Sequence, residues 1–229
     1  NQWTKDVPEE LWLGEIMPYF SVKELSLGGT IAKHFQKYWV TFKTNRELCV
    51  PKDFPSLREA VRVGEILSRR GIIRSTNENL LKIMLSNGTH YEDGVGDEDG
   101  EEIHINYPVS LIGESRDGCK IIGSLRINGE EEDNVYIKNL TLRESMGHGV
   151  HGLNGASIHL DNLSVENSGF HGVSVSGTKR NTMKNCNVSH SIFGGLVVDN
   201  GALMTVSGNA TTIHHNATGQ DVTRGLYTY

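Results

Sequence analysis

Apolar and polar positions recur at a fixed step through the second half of the chain. The segments Y-I-K-N-L-T-L-R-E-S (136–145), H-L-D-N-L-S-V-E-N-S (159–168) and T-M-K-N-C-N-V-S-H-S (182–191) align 23 residues apart. Asn139, Asn162 and Asn185 coincide, as do Leu140, Leu163 and Cys186, and Leu142, Val165 and Val188. Gly149, Gly172 and Gly195 keep the same step. A fourth copy, V-S-G-N-A-T-T-I-H-H-N (206–216), carries one or two extra residues. A fixed period with alternating apolar positions and Gly/Asn turns signals a solenoid with one coil per repeat. Two or three short strands and their turns fill such a coil, whereas helical repeats need periods above about thirty. The pattern therefore predicts a right-handed parallel β-helix, with regular coils over about 104–229. Residues one coil apart then stack at roughly 4.8 Å. Leu140, Leu163 and Cys186 become an interior column, and Asn139, Asn162 and Asn185 a ladder of side-chain amides.

Upstream, the period of the pattern changes. Ser56 and Glu59 form a capping box ahead of an apolar stripe, Leu57, Ala60, Val61 and Leu67, which predicts an amphipathic helix over about 56–70. Short alternating strands with Gly punctuation follow in K-I-M-L-S-N-G-T-H-Y-E-D and E-I-H-I-N-Y-P-V-S-L-I-G-E-S. At the N-terminus, Pro8 with Glu9 and Glu10 marks a helix start. Leu11, Trp12, Ile16 and Phe20 line one side of that helix. Ser21 with Glu24 opens a second helix, which ends in Lys33, His34, Phe35, Lys37, Tyr38 and Trp39. Two short helices cannot bury both apolar faces by themselves, so hydrophobic surface is left for a partner.

Residues 7–39 resemble an F-box. The family's Leu-Pro, acidic-acidic-Leu, Ser-x-x-acidic-Leu and Lys-Arg-Phe…Trp positions read here as Val7-Pro8, Glu9-Glu10-Leu11, Ser21-x-x-Glu24-Leu25 and Lys33-His34-Phe35…Trp39. Ile16 and Phe20 fall one residue later than the common spacing. Residues 50–219 resemble the pectin-lyase-like β-helix superfamily, in which an N-terminal helix covers the end of the hydrophobic column. The expected organisation is thus a small all-α F-box (1–45) followed by an all-β parallel β-helix (46–229) with an N-terminal capping helix. The combination resembles eukaryotic F-box proteins whose receptor part is a run of β-helix repeats. The resemblance implies a substrate-recognition subunit of a Skp–cullin–F-box (SCF) ubiquitin ligase. Pro8, Leu11, Ile16, Phe20, Leu25 and Phe35 would dock on the Skp adaptor, and through it on a cullin. The β-helix would recruit a protein target, which could be a modified or glycosylated one. The other reading the resemblance allows is a β-helix that binds or cleaves carbohydrate.

Charge and composition narrow these options. A net charge of −6 supplies no basic stripe for nucleic acid. No apolar run reaches membrane-spanning length and no signal peptide is visible. Three scattered cysteines, Cys49, Cys119 and Cys186, form neither a metal spacing nor a disulfide framework, and point to a reducing, intracellular location. Six N-x-Ser/Thr sequons, at Asn87, Asn139, Asn162, Asn187, Asn209 and Asn216, are what Asn-rich turns beside Ser/Thr-rich strands generate by composition. The absent initiator Met and the stop just past a coil suggest a longer natural chain with further coils.

No catalysis is expected. The carboxylates in the regular coils are Glu144, Asp161, Glu166 and Asp199, and they form no paired set with a matched Arg. Asp161 falls between Lys138 and Lys184 in one column, a surface charge ladder. The acidic runs 94–102 and 130–133 read as solvated insertions. His148 and His171 stack one coil apart, with His151, His159, His190, His214 and His215 nearby, and read as turn histidines rather than metal ligands. Phe170 and Phe193 read as an interior aromatic column. No cofactor or metal is expected.

Overall fold

The computed structural model describes residues 46–69, 79–91, 102–177, 180–219 and 226–228. The expected F-box residues Pro8, Leu11, Ile16, Phe20, Leu25 and Phe35 lie outside the described residues. In chain order the elements are β1 (Glu47–Val50), α1 (Leu57–Arg69), β2 (Leu81–Leu85), β3 (Gly88–Tyr91) and β4 (Glu102–Ile105). Next come β5 (Val109–Gly113), β6 (Cys119–Ile122), β7 (Ser124–Ile127), β8 (Asn134–Lys138), β9 (Thr141–Arg143) and β10 (Val150–Gly152). They continue with β11 (Ser157–Asp161), β12 (Ser164–Glu166), β13 (Val173–Ser176), β14 (Asn181–Lys184) and β15 (Asn187–Ser189). The last are β16 (Leu196–Asp199), β17 (Met204–Ser207), β18 (Thr212–His214) and β19 (Leu226–Thr228). All pairing is parallel: β1 pairs with β2, and from β2 onward each strand pairs with the third one after it. The first sheet runs β1-β2-β5-β8-β11-β14-β17, the second β3-β6-β9-β12-β15-β18 and the third β4-β7-β10-β13-β16-β19.

The register explains the apolar pattern. Leu48, Ile83, Leu111, Ile137, Leu160 and Met183 pair in succession across the first sheet and are all buried. Ile121, Leu142, Val165 and Val188 do the same in the second sheet, and Ile103, Leu125, Val150, Val173 and Leu196 in the third. Leu140, Leu163 and Cys186 are buried in the turns between first- and second-sheet strands, as their period requires. All three cysteines are free thiols. His159 and its neighbour Thr182 are 23 residues apart, but Asn187 pairs with Thr212, 25 residues on. The fourth copy thus carries two extra residues, accommodated in the turn between β17 and β18.

Left-handed backbone recurs once per coil at each turn. Asn139, Asn162 and Asn185 have φ of 54°, 55° and 52°, and Glu144, Asn167, His190 and His215 have φ of 57°, 54°, 58° and 50°. Asn tolerates this region better than other side chains, which is why the first set is all Asn.

Helix α1 packs on β1, β2 and β4. Leu57, Ala60, Val61, Gly64 and Leu67 form its buried side. Ser56 Oγ accepts the Glu59 N–H at 3.2 Å, the forward half of the capping box. The buried Tyr107 hydroxyl donates to Val61 O at 3.0 Å, tying the helix to the chain entering β5. The strand preceding the helix, β1, has no counterpart in the sequence reading. It is only four residues long, and its apolar residues alternate just once.

Candidate functional site

A stack of turns joins the second sheet to the third at residues 145–149, 168–172 and 191–195. Ser145, Ser168 and Ser191 are buried at the start of each turn. Gly149, Gly172 and Gly195 end each turn for a steric reason. A Cβ on Gly149 would fall 2.4 Å from Val165 Cγ1, one on Gly172 2.4 Å from Val188 Cγ1, and one on Gly195 2.6 Å from Ile213 Cγ2. The intervening residues point away from the core. Met146 is 77% exposed, Ile192 42% and Phe170 39%, so half of the exposed large apolar side chains in the described residues lie on this stack.

Phe170 and Phe193 therefore correct the sequence reading. They do meet one coil apart, 4.5 Å between ring centroids and tilted at 53°, but on the outside of the solenoid. The in–out alternation that places strand residues is lost once the backbone leaves the β region, and both rings sit in turns.

Imidazoles continue the cluster. His148 lies 4.1 Å from His151 and 5.4 Å from His171, and its ring meets Phe170 edge-on at 4.9 Å. The stacking of His148 on His171 agrees with the period. His171 Nδ1 accepts the Gly194 N–H at 2.9 Å, so its proton resides on Nε2 in the neutral ring.

His151 belongs to an outward column of the third sheet, with His104, Arg126, Ser174 and Val197 as successive partners. Arg126 Nη1 donates to Glu102 Oε2 at 3.3 Å, and His104 Nε2 lies 3.8 Å from the same oxygen. Glu102 is thus not part of a solvated insertion: it is the first residue of β4 and faces a cation. Asp199, at the end of β16, acts electrostatically on both His151 and His171.

Burial drives the electrostatics here. It pushes His148 down to about 3, helped by His151, His171 and Arg126. Burial also lowers His151 and His171, with the carboxylates Glu102 and Asp199 opposing the shift at His151 and Asp199 opposing it at His171. The histidine cluster is neutral at pH 7. His148 Nδ1, His151 Nδ1 and Asp199 Oδ1 are buried without a hydrogen-bond partner among the described residues. Unpaired buried polar atoms cost about 1–3 kcal/mol each, and here they adjoin exposed aromatic and aliphatic groups. The exposed Met146, Phe170 and Ile192 side chains, clustered on one regular stack, suit recognition through apolar contact.

The other candidates separate. Lys138, Asp161 and Lys184 align across the first sheet as the predicted ladder. On the same face Tyr136 stacks on His159 at 4.5 Å, and Lys138 Nζ lies 5.4 Å from the Tyr136 ring. Glu166 pairs in register with Arg143, and Glu144 N–H donates to Glu166 O at 3.1 Å. No group of three or more His, Cys, Asp or Glu side chains among the described residues is arranged to hold a metal. No described helix is long and apolar enough to cross a membrane.

The sequons differ in environment. Asn139, Asn162, Asn187 and Asn216 use their side chains within the coils, and Asn87 Oδ1 accepts from Ser115 at 2.7 Å. Asn209 is exposed in a turn.

Arg126 is absent from the sequence reading, and neither Glu102 nor Asp199 is linked there to the histidines. Their alignment depends on coil steps that differ from the regular repeat. No curated protein and no solved structure matches the chain. Residues 124–228 match the family model of a right handed beta helix region, and this stretch carries the face from Arg126 to Asp199.

Proposed function

We propose that this chain is the target-recruiting subunit of an SCF-type ubiquitin ligase. Residues 7–39, with their likeness to an F-box, dock on a Skp adaptor, and the β-helix holds the protein to be modified. The observation that carries the recruiting half is the exposure of Met146, Phe170 and Ile192 together on one regular stack of turns. A solenoid held by continuous parallel ladders keeps such a face rigid, so little ordering entropy opposes binding. The chain's contribution is then effective concentration rather than bond chemistry.

The face is tested by comparing the proteins that co-purify with the adaptor-bound wild type and with its Phe170→Asp variant. A target held by this face is lost from the variant while the adaptor remains. Equal retention of every co-purifying protein would place recruitment elsewhere.

A second reading is carbohydrate binding. Phe170, exposed and held edge-on to His148, offers an aromatic ring against which a sugar could pack. Retention of the chain on polysaccharide supports, reduced in Phe170→Ala, would favour it.

A further inference from the structure

Three other histidines meet at the ends of second-sheet strands. His214 ends β18, His215 follows it, and His190 occupies the turn position one coil earlier. All three are exposed. His214 and His215 are consecutive, and in a continuing strand their side chains would point to opposite faces. The left-handed backbone of His215, φ 50°, interrupts that alternation. The two Nδ1 atoms instead approach to 2.6 Å, with the rings nearly perpendicular and 4.8 Å between centroids. His190 stacks on His215 at 5.4 Å, with 5° between the ring planes.

The orientation of His214 is fixed from behind. Its Nε2–H donates to Asn187 Oδ1 at 2.8 Å. The same oxygen accepts Thr212 Oγ1 at 2.8 Å, and Asn187 Nδ2 donates to Ser164 Oγ at 3.2 Å. Ser164 Oγ in turn donates to Glu166 Oε1 at 2.6 Å. This chain of bonds crosses β12, β15 and β18, so turning the Asn187 amide over would break contacts on both sides. With the proton held on Nε2, the neutral His214 ring keeps its lone pair on Nδ1, aimed at His215.

We propose that His214 and His215 chelate one divalent transition-metal ion through their Nδ1 atoms, with Asn187 as the positioning residue and water filling the remaining sites. Nitrogen ligands at about 2.0–2.1 Å from a metal stand roughly 3 Å apart when adjacent, so the exposed pair must open by a few tenths of an ångström and turn until both Nδ1 lone pairs converge on the ion. The proton between the two nitrogens moves to His215 Nε2, and no net charge leaves the protein. Imidazole donors suit Cu2+, Ni2+ and Zn2+, and the order of intrinsic affinity makes Cu2+ the tightest. A ligating His that donates its other N–H to an oxygen is the usual supported arrangement. Two protein ligands, rather than three, agree with the absence of a larger metal-holding group among the described residues. The His148–His151 pair differs: both of its Nδ1 atoms are buried, which closes them to an entering ion.

The test is calorimetric titration of the full chain with Cu2+, Ni2+ or Zn2+ salts, each variant's fold being checked by circular dichroism. Wild type is expected to bind one equivalent. His214→Gln and His215→Gln are each expected to lose it, and Asn187→Ala to weaken it about 10–100-fold. His148→Gln is expected to leave it unchanged. The proposal is overturned if wild type binds none of the three ions at millimolar concentration. It is equally overturned if the His214 and His215 variants bind like wild type, or if His148→Gln abolishes binding.

Discussion

The Asn162 side-chain amide donates to Asn139 Oδ1 at 3.0 Å, one coil earlier, and both residues are left-handed. The ladder thus has two separable components, a backbone conformation and a hydrogen bond. Asn162→Gly keeps the first and loses the second, and should cost about 1 kcal/mol. Asn162→Ala adds the penalty of a left-handed non-glycine residue, a further ~1–2 kcal/mol. Urea unfolding of the two variants measures the difference directly, and Ala proving the milder change would contradict this division.

The turn glycines make a similar comparison possible. At Gly172 an added Cβ would sit 2.4 Å from Val188 Cγ1 and 2.8 Å from the Gly195 carbonyl, whereas at Gly201, with φ of 74°, nothing lies within 4 Å. Gly172→Ala should cost the ~1–3 kcal/mol of overpacking. Gly201→Ala should cost only the left-handed strain, roughly 1–2 kcal/mol. The shift in thermal midpoint is expected to be larger for Gly172→Ala, accompanied by altered packing of the turn stack.

Stability should fall in mild acid because of His148. Its folded pKa, about 3, lies below the ordinary 6.5, chiefly through burial. The unfolded chain therefore binds the proton first. The stabilisation from the neutral ring is complete above about pH 6.5 and is lost progressively as pH falls toward 3. Denaturant midpoints measured from pH 8 to pH 4 should decline in wild type, and less steeply in His148→Gln. An identical slope in both would remove His148 as the cause.

Arg126 contributes to the same depression at His148 and His151. Arg126→Leu should raise the NMR titration midpoints of both histidines. The half-exposed ion pair with Glu102 limits its stability cost to about 1 kcal/mol. Unmoved midpoints would show that burial alone sets these rings.

The parts legible in the sequence are those that obey one step of the repeat. The Leu140–Leu163–Cys186 column, the Asn139–Asn162 rung and the His148–His171 stack all follow from a 23-residue period. Two kinds of feature escaped. Glu102, Arg126 and His151 converge across coils whose lengths differ, so no fixed spacing announces them. Phe170, Phe193 and the His214–His215 pair depend on turn backbone, where alternation no longer tells inside from outside. Hydrophobicity alone placed the two phenylalanines in the core; the conformation of the turn places them outside.

Under the proposed function, residues 7–39 deliver this β-helix to a ubiquitin ligase. The most direct measurement is co-purification of the chain with a eukaryotic Skp adaptor, alongside Leu11→Asp and Phe20→Asp. A stoichiometric complex is expected, abolished by both substitutions while the β-helix stays folded by circular dichroism. No complex at micromolar concentration, or one that survives both substitutions, would contradict the proposal.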